Sequence, residues 1–371
     1  MKLLYVVSTL SRCGPTNQLY NIVMNVVALG HEVTLVVLSP EPKDSMSLHF
    51  EKLDIRIVRF DSSRLTGFLV GKLKMKKLLA SVSPDCIHTQ GFRADVLLAS
   101  LKSSIPHCCT IRNFPQLDYK MTYGKLLASY MVWRHVKAMR NISVCVGVSD
   151  SVVDNLNRTF KLTNVTSVLN GVDTDSFYPA SAGEKTLLRK KLSLPATKII
   201  WVCSGHLSPR KDPLFLVDAF NRGVFPEGHA LLFIGEGELE RECRDASNSE
   251  DIYFAGRVSN VSEYLRACDF YISSSVAEGM PNAALEALGS GLPVLLSDIP
   301  PHRELLKVGG EIGVLYILSS IDSLSAAVEI IDNGNGSKRW SGIVQITLSS
   351  FSAEAMANKY VSIYSDCIKE N

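Results

Sequence analysis

The sequence predicts an α/β protein of two doubly wound, Rossmann-like domains facing across a crevice. Short apolar, β-branched runs alternate with segments of helical period along nearly the whole chain. The alternation restarts near Thr197, after the polar stretch YPASAGEK at 178–185. The chain has 371 residues, 46% hydrophobic and 20% charged, which is ample for two cores.

The elements follow in order. Residues 3–8 (LLYVVS) are a continuous apolar run, read as a first buried strand. A signal peptide also opens on a Lys and an apolar run, but this run is short and leads into a Gly-Pro turn, not a small-residue cleavage site. From Thr16, the residues Leu19, Ile22, Val23, Val26 and Val27 share a helical face that ends at Gly30. HEVTLVVL is the second strand, so a βαβ unit and a parallel sheet are expected. IRIVRF, DCIHTQ, HCCTIRN and SVCVGVS are further strands. Helices are expected over 67–80, over ADVLLASLKSS, over 122–139 and from Asp150. In the second half KIIWVCSG, ALLFIGEG, IYFAG, FYISSS and PVLLSD are strands between helical segments. The last segment, from Ser352, is helical with Ala355, Met356, Tyr360 and Ile363 on one face.

Composition narrows the function classes. No apolar run is long enough to suggest a membrane-spanning helix. The nine cysteines form no C-x-x-C and no zinc-finger spacing, and they read as small buried hydrophobes of a reducing cytoplasm. Residues 1–180 hold 21 Lys and Arg against 13 Asp and Glu, while the remainder holds 18 against 24. The basic first half invites something anionic: nucleic acid, lipid headgroups or a pyrophosphate-bearing substrate. GKLKMKKLLA (71–80) sets four lysines among Leu and Met. A solvated helix face is its default reading, and a membrane surface the alternative.

The most informative stretch is SSSVAEGMPNAALEALGSGLPVLLSD, residues 273–298. Glu278 precedes Gly279-Met280-Pro281-Asn282, a strand-to-helix loop, and Pro281 suits a first helical turn. Glu286 lies about one turn further on. A helix starting here offers amides at 282–284, Ala283 among them, and a partial positive charge. Such an end binds diphosphate, with a carboxylate on either side to accept bonds from sugar or ribose hydroxyls.

This segment resembles the signature of the retaining glycosyltransferases of family 4, which have the GT-B fold. LNGVDTDSFYP (169–179), SGHLSPRKDP (204–213), ALLFIGEGELE and IYFAGRVSNVSEYLRACDFYISSS resemble family segments in the expected order. RCGPTNQLYNIV, PDCIHTQGFRADVL and TIRNFPQLDY look like the subgroup of bacterial surface-polysaccharide enzymes, O-antigen and capsule among them. The resemblance implies an acceptor domain over 1–177, joined by a returning helix 355–371, and a donor domain over 178–354. It implies sugar transfer with retention from a UDP- or GDP-sugar, itself a substrate, with no cofactor and no metal. The implied acceptor is a lipid-linked saccharide, in the cytoplasm or at the inner membrane face, with no nucleic-acid partner.

Residue roles follow. Arg210 and Lys211 would hold the diphosphate and stabilise the charge that develops on it. Lys211 matches the family's lysine, and His206 stands where its arginine usually lies. Glu278 would bind donor-sugar hydroxyls, and Glu286 the ribose. Gly235 would lie beside the nucleotide, and Arg257 and Val258 near the base. Gly14 would let backbone approach the ligand, or else mark an ordinary turn before a Thr16 or Asn17 cap. Gln90 takes the place of a family histidine and cannot carry a proton at neutral pH, so a hydrogen bond is its expected part. His88 reads as a satisfied core histidine. Arg112 and Asn113 are acceptor-side candidates. Asp173 and Asp175 form a D-x-D read as a connecting loop and not as a metal site. A nucleotide-sugar 2-epimerase and a nonenzymatic saccharide-binding protein are the competing readings.

Overall fold

The computed structural model describes the chain except residues 62–66, 335–339, 341 and 371. It divides into two compact units. The first comprises Met1–Gly171 and the segment from Ala353 onward, and the second Val172–Ser352.

The first unit carries seven strands: β1 Lys2–Val7, β2 Glu32–Val37, β3 Arg56–Arg59, β4 Cys86–Gln90, β5 His107–Ile111, β6 Val144–Gly147 and β7 Val165–Ser167. All pair in parallel, in the order β3-β2-β1-β4-β5-β6-β7. The order reverses between β1 and β4, which makes the carboxyl ends of these two strands the topological switch point. Leu3 to Val7 are all buried, as a central parallel strand covered on both faces requires.

The second unit repeats the plan with β8 Ile199–Ser204, β9 His229–Ile234, β10 Ile252–Gly256, β11 Phe270–Ser273, β12 Val294–Ser297 and β13 Gly313–Tyr316. Their order is β10-β9-β8-β11-β12-β13, again all parallel, with its switch between β8 and β11. Trp201, Phe233, Phe270 and Ile272 fill the core.

The last helix, Ala353–Lys369, packs on helix Gly14–Ala28 of the first unit. Its buried face is Ala353, Met356, Ala357, Tyr360 and Tyr364. Ala355 and Ile363, expected on that face, lie only partly buried at its rim. Tyr360, as expected, and Tyr364, which was not, hold the centre of that face because their hydroxyls find partners inside. Tyr364 Oη shares a hydrogen bond with Tyr5 Oη at 3.0 Å, and Tyr360 Oη with Thr110 Oγ1 at 2.9 Å.

Several expectations need correcting. The helix expected over 122–139 is two, Pro115–Tyr123 and Lys125–Met139, divided at Gly124 with φ 75°. That left-handed backbone stops the first helix and lets the second start. Strands β7 and β13 were not expected: β7 is only VTS, while β13 lies in the apolar run IGVLYIL at 312–318, which the sequence reading passed over. Helix Gly14–Ala28 begins two residues before Thr16, with Cys13 at its cap position and Pro15 in its first turn, so neither Thr16 nor Asn17 caps it. The units meet in sequence at 171/172 and 352/353. The sequence had suggested 177/178 and 354/355, but Val172 N already donates to Phe351 O at 2.8 Å, and Phe177 packs on Gly289 of the second unit. In helix Gly67–Val82, Met75, Leu78 and Leu79 are buried in the core. The apolar residues of 71–80 are therefore mostly turned inward, and the membrane alternative for that segment loses its greasy face.

Candidate functional site

Two polar clusters stand at the two switch points. In the second unit, β8 ends in a loop that carries Arg210 and Lys211, and β11 ends in one that carries Glu278. The loops are stitched together through backbone. Val276 N donates to Arg210 O at 2.9 Å, and Ser274 Oγ reaches Lys211 O and Asp212 O at 2.9 and 2.8 Å. Asp212 takes a left-handed conformation, φ 48°, to redirect the chain into helix Pro213–Asn221.

Held this way, Lys211 Nζ lies 2.6 Å from Glu278 Oε1, and Arg210 Nη1 lies 2.7 Å from Glu278 Oε2. Arg210 Nη1 also donates to Ala277 O at 2.8 Å, and Ser275 Oγ donates to Glu278 Oε1 at 2.8 Å. The Glu278 side chain is 7% exposed. Burial pushes its carboxyl up, but Lys211 and then Arg210 outweigh burial and hold it at about 2. Glu278 is thus a carboxylate at every physiological pH, an acceptor of hydrogen bonds and not a proton source. Glu286, one turn into helix Asn282–Gly289, differs. Burial raises its carboxyl to about 7, and nearby Lys211 only tempers the rise.

The start of that helix corrects one expectation. Pro281 occupies the cap position, with φ −79° and ψ 79°, so Asn282 N donates back to Met280 O at 3.0 Å in a tight inverse turn. Ala284 N donates to Pro281 O at 3.0 Å. Of the three amides expected to be available, only that of Ala283 makes no hydrogen bond among the described residues. Gly279 sits in the loop before it, and Met280 and Pro281 are buried.

The other donor-side candidates border the cluster without joining it. His206 Nε2 pairs with Glu238 Oε2 at 2.8 Å and is mostly exposed. Its partner is therefore not the carboxylate that Arg210 and Lys211 share. Arg257 is exposed and reaches Glu236 at 3.5 Å, while Val258 is half-buried. Gly235 has a structural duty of its own. At its φ of 135° an added Cβ would lie 1.9 Å from Gly205 O, so only glycine lets the β8 and β9 loops touch. Asp173 Oδ1 accepts from the amides of Asp175 and Ser176, as a turn-forming side chain does.

In the first unit a cavity of about 820 Å³ opens at the carboxyl ends of β1, β4 and β5. Gln90, Arg112 and Asn113 line it, and so do Cys13, Pro15 and Thr16 around Gly14. Arg112 Nη2 donates to Gln90 Oε1 at 2.9 Å, and Nη1 to Asn170 Oδ1 at 3.3 Å. Gln90 Nε2 and Arg112 Nε are buried with no hydrogen-bond partner among the described residues. Asn113 Nδ2 donates to Asp118 at 3.2 Å. His88 is enclosed in the core between Tyr364 Oη at 2.5 Å and Thr110 Oγ1 at 2.8 Å, and burial lowers its pKa to about 3.

Some residues here escaped the sequence reading. Asp95 Oδ2 lies 2.8 Å from His135 Nε2, and His135 Nδ1 lies 2.7 Å from Tyr119 Oη, which faces the cavity with His135. The carboxylate fixes the ring, and the ring fixes the phenol. These residues come from three helices 16 to 40 positions apart, so no local spacing announces them. Ser274 and Ser275 were visible only as a serine run at a strand end.

Residues 13–176 match the family described as Glycosyltransferase Family 4, and residues 198–332 match that described as Glycosyl transferases group 1. The chain is 25% identical over 275 residues to an Escherichia coli UDP-Gal:alpha-D-GlcNAc-diphosphoundecaprenol alpha-1,3-galactosyltransferase, covering 70% of each chain. It is 23% identical to the Escherichia coli O-antigen biosynthesis glycosyltransferase WclY, over 100% of this chain and 99% of that one. Among solved structures it superposes on Anabaena HepE in complex with UDP with TM-score 0.81 at 17% identity, covering 99% and 100% of the two chains. Sucrose-phosphate synthase from Thermosynechococcus elongatus gives the same TM-score and identity over 100% of both.

Proposed function

From the premise that this chain belongs to the family 4 glycosyltransferases, enzymes of the GT-B fold, we propose that it moves a sugar from a nucleoside diphosphate to a hydroxyl of a lipid-linked saccharide, with retention. The observation that carries this reading is the buried carboxylate Glu278 bound by both Lys211 and Arg210 at the β8/β11 switch point. The two cations carry one charge more than the carboxylate between them, and they stand on a rigid, backbone-stitched loop. A diphosphate that gains negative charge as the sugar leaves is stabilised by fixed cations more strongly in the transition state than before it. The amide of Ala283 adds a neutral donor. Glu278, ionised throughout, accepts hydrogen bonds from hydroxyls of the donor sugar, and Glu286 from those of the ribose.

The acceptor belongs in the cavity of the first unit. Arg112 offers a guanidinium fork for a phosphate or carboxylate, Gln90 an unpartnered amide, and Tyr119 a phenol aimed by the Asp95–His135 pair. The relatives support this assignment, since the galactosyltransferase is named for an acceptor with a diphosphate-linked lipid.

A thermal-shift panel of UDP-, GDP- and ADP-sugars tests the proposal. At least one should raise the unfolding midpoint by several degrees, and Lys211→Ala should abolish the shift. Stabilisation by none would sink it. Incubating the stabilising donor alone and finding a 2-epimer would favour an epimerase instead.

A further inference from the structure

We propose that His302 is a positioning residue for Glu278, acting on it through Ser297 and Ser275 so that one carboxylate oxygen is left to face the donor sugar. The inference rests on the proposed role of Glu278 in binding that sugar. His302 stands in the first turn of helix Pro300–Gly309, just after β12, and is 0% exposed. Its Nδ1 lies 2.7 Å from Ser297 O. A carbonyl can only accept, so Nδ1 carries the proton and Nε2 the lone pair. Nε2 is buried with no hydrogen-bond partner among the described residues. Burial lowers the pKa of the ring to about 4, so the ring is neutral near pH 7. A leucine would fill this space without stranding an acceptor. The histidine is therefore explained by what Nδ1 holds and not by packing.

What Nδ1 holds leads to Glu278. Ser297 ends β12, and its hydroxyl donates to Ser275 O at 2.6 Å, in the loop after β11. Ser275 Oγ in turn donates to Glu278 Oε1 at 2.8 Å and lies 3.0 Å from Ser273 Oγ. A hydroxyl has one proton, so Ser275, giving its own to Glu278, accepts from Ser273. Ser273, Ser275 and Ser297 are all buried, where aligned hydrogen bonds reinforce one another. The result is an asymmetric carboxylate. Oε1 receives Lys211 Nζ at 2.6 Å and Ser275 Oγ at 2.8 Å, whereas Oε2 receives Arg210 Nη1 at 2.7 Å alone among the described residues. With about two acceptor sites per oxygen, Oε1 is filled and Oε2 keeps one place for a hydroxyl. Ser275 decides which oxygen is filled, and the Ser297–His302 pair holds Ser275.

The test uses the full chain and the UDP-, GDP- or ADP-sugar that stabilises it most. Calorimetry gives the ratio of its affinity to that of the matching nucleoside diphosphate, and transfer rates are measured beside it. Glu278→Ala should lower the ratio by about tenfold or more, because the diphosphate keeps its two cations while the sugar loses its acceptor. His302→Leu and Ser297→Ala should each lower both the ratio and kcat/KM by about fivefold. His302→Asn, whose amide can donate from the place of Nδ1, should stay within about twofold. Adding His302→Leu to Ser275→Ala should cost less than about twofold beyond Ser275→Ala alone, since both act on one chain of bonds. His229→Leu strands the Trp201 indole N–H in the core of the same unit, so it should lower the melting temperature and leave the ratio within about twofold. Ser297→Ala removes a single oxygen and carries the test where His302→Leu does not fold. The proposal is overturned if the His302→Leu or Ser297→Ala protein folds and keeps the wild-type ratio, or if His302→Asn loses as much as His302→Leu. It is also overturned if the losses of His302→Leu and Ser275→Ala multiply, or if His229→Leu shifts the ratio as far. A Glu278→Ala protein with an unchanged ratio refutes the role of Glu278 itself and takes the inference with it.

Discussion

Replacing Lys211 by Met probes the Glu278 cluster most directly. The Glu278 carboxyl is held at about 2 against an ordinary 4.5, even though burial opposes ionisation. At about 1.4 kcal/mol per unit, the two cations overcome burial by roughly 3 kcal/mol. Arg210, 36% exposed, is screened by water and contributes the smaller part; Lys211, 15% exposed and 2.6 Å away, contributes about 2 kcal/mol. Lys211→Met should therefore destabilise the second unit by about 2 kcal/mol at pH 7. This contribution is complete above the unfolded carboxyl's 4.5 and disappears as pH falls toward 2, so variant and wild type should converge in acid. Adding Glu278→Gln removes the stranded charge and should restore stability to within about 1 kcal/mol. Transfer should not recover with it. Both single variants and the double should lose about a hundredfold or more in kcat/KM, from roughly 3–4 kcal/mol of lost stabilisation. Urea unfolding at pH 7 and pH 4, beside rates of sugar transfer, reads both effects. A double variant that regains both stability and near-normal rates would reduce the cluster to a structural ion pair.

Three further outcomes are expected. Because burial raises Glu286 to about 7, the native state holds an extra proton between pH 4.5 and 7, so stability declines across that window as pH rises. Glu286→Gln should flatten the decline and stabilise the protein by about 3 kcal/mol at pH 8. It should also remove a step near pH 7 in affinity for a sugar nucleotide, which has no terminal phosphate titrating near 6 to mimic that step. Gly235→Ala should cost about 3 kcal/mol or more, since its Cβ would meet Gly205 O at 1.9 Å in a left-handed backbone; an unchanged melting curve would contradict the loop contact. Asp95→Asn strands His135 in the core and should cost about 3 kcal/mol, whereas Tyr119→Phe should leave stability within about 1 kcal/mol and raise KM for the acceptor but not for the donor. Equal effects on both substrates would remove Tyr119 from the acceptor side.

Much of this molecule was legible because its signals are local. A buried parallel strand writes itself as an unbroken apolar run, so β1, β2, β8 and β9 could be read residue by residue. Strands β7 and β13 lie at the sheet edges, where burial is partial; β7 shrinks to VTS, whereas β13 keeps an apolar run, IGVLYIL, and was missed despite it. Within the site, Arg210, Lys211 and Glu278 were readable because they sit in loops that follow strands, and Glu286 because it lies one turn into the helix after such a loop. What could not be read was who pairs with whom. His206 occupies the position of a clamp residue yet turns to Glu238, because a loop side chain follows the nearest opposite charge. The Asp95–His135–Tyr119 chain depends on three helices meeting, a tertiary fact with no sequence period. The amides at 282–284 were overcounted because Pro281 bends the backbone into an inverse turn that uses two of them.

The two glutamates, eight positions apart, divide their work by environment. Glu278 meets two cations and stays ionised, so it can hold hydroxyls but cannot relay a proton near neutral pH. Burial raises Glu286 to about 7, with Lys211 tempering the rise, one turn past the helix start that would carry the diphosphate on the proposed function. On the proposed function neither is therefore the base for an incoming hydroxyl: the first is too weak a base, and the second is assigned to the ribose. In the first unit, Gln90 has no titratable group, His88 is sealed in the core, and both ring nitrogens of His135 are engaged by Asp95 and Tyr119. If the donor is a nucleoside-diphosphate sugar, as proposed, the leaving diphosphate facing Lys211 and Arg210 would be the base nearest to hand. On this reading, the chain's contribution to the chemistry is a fixed electrostatic frame around that phosphate, and rate should follow the cations more closely than any proton-bearing side chain.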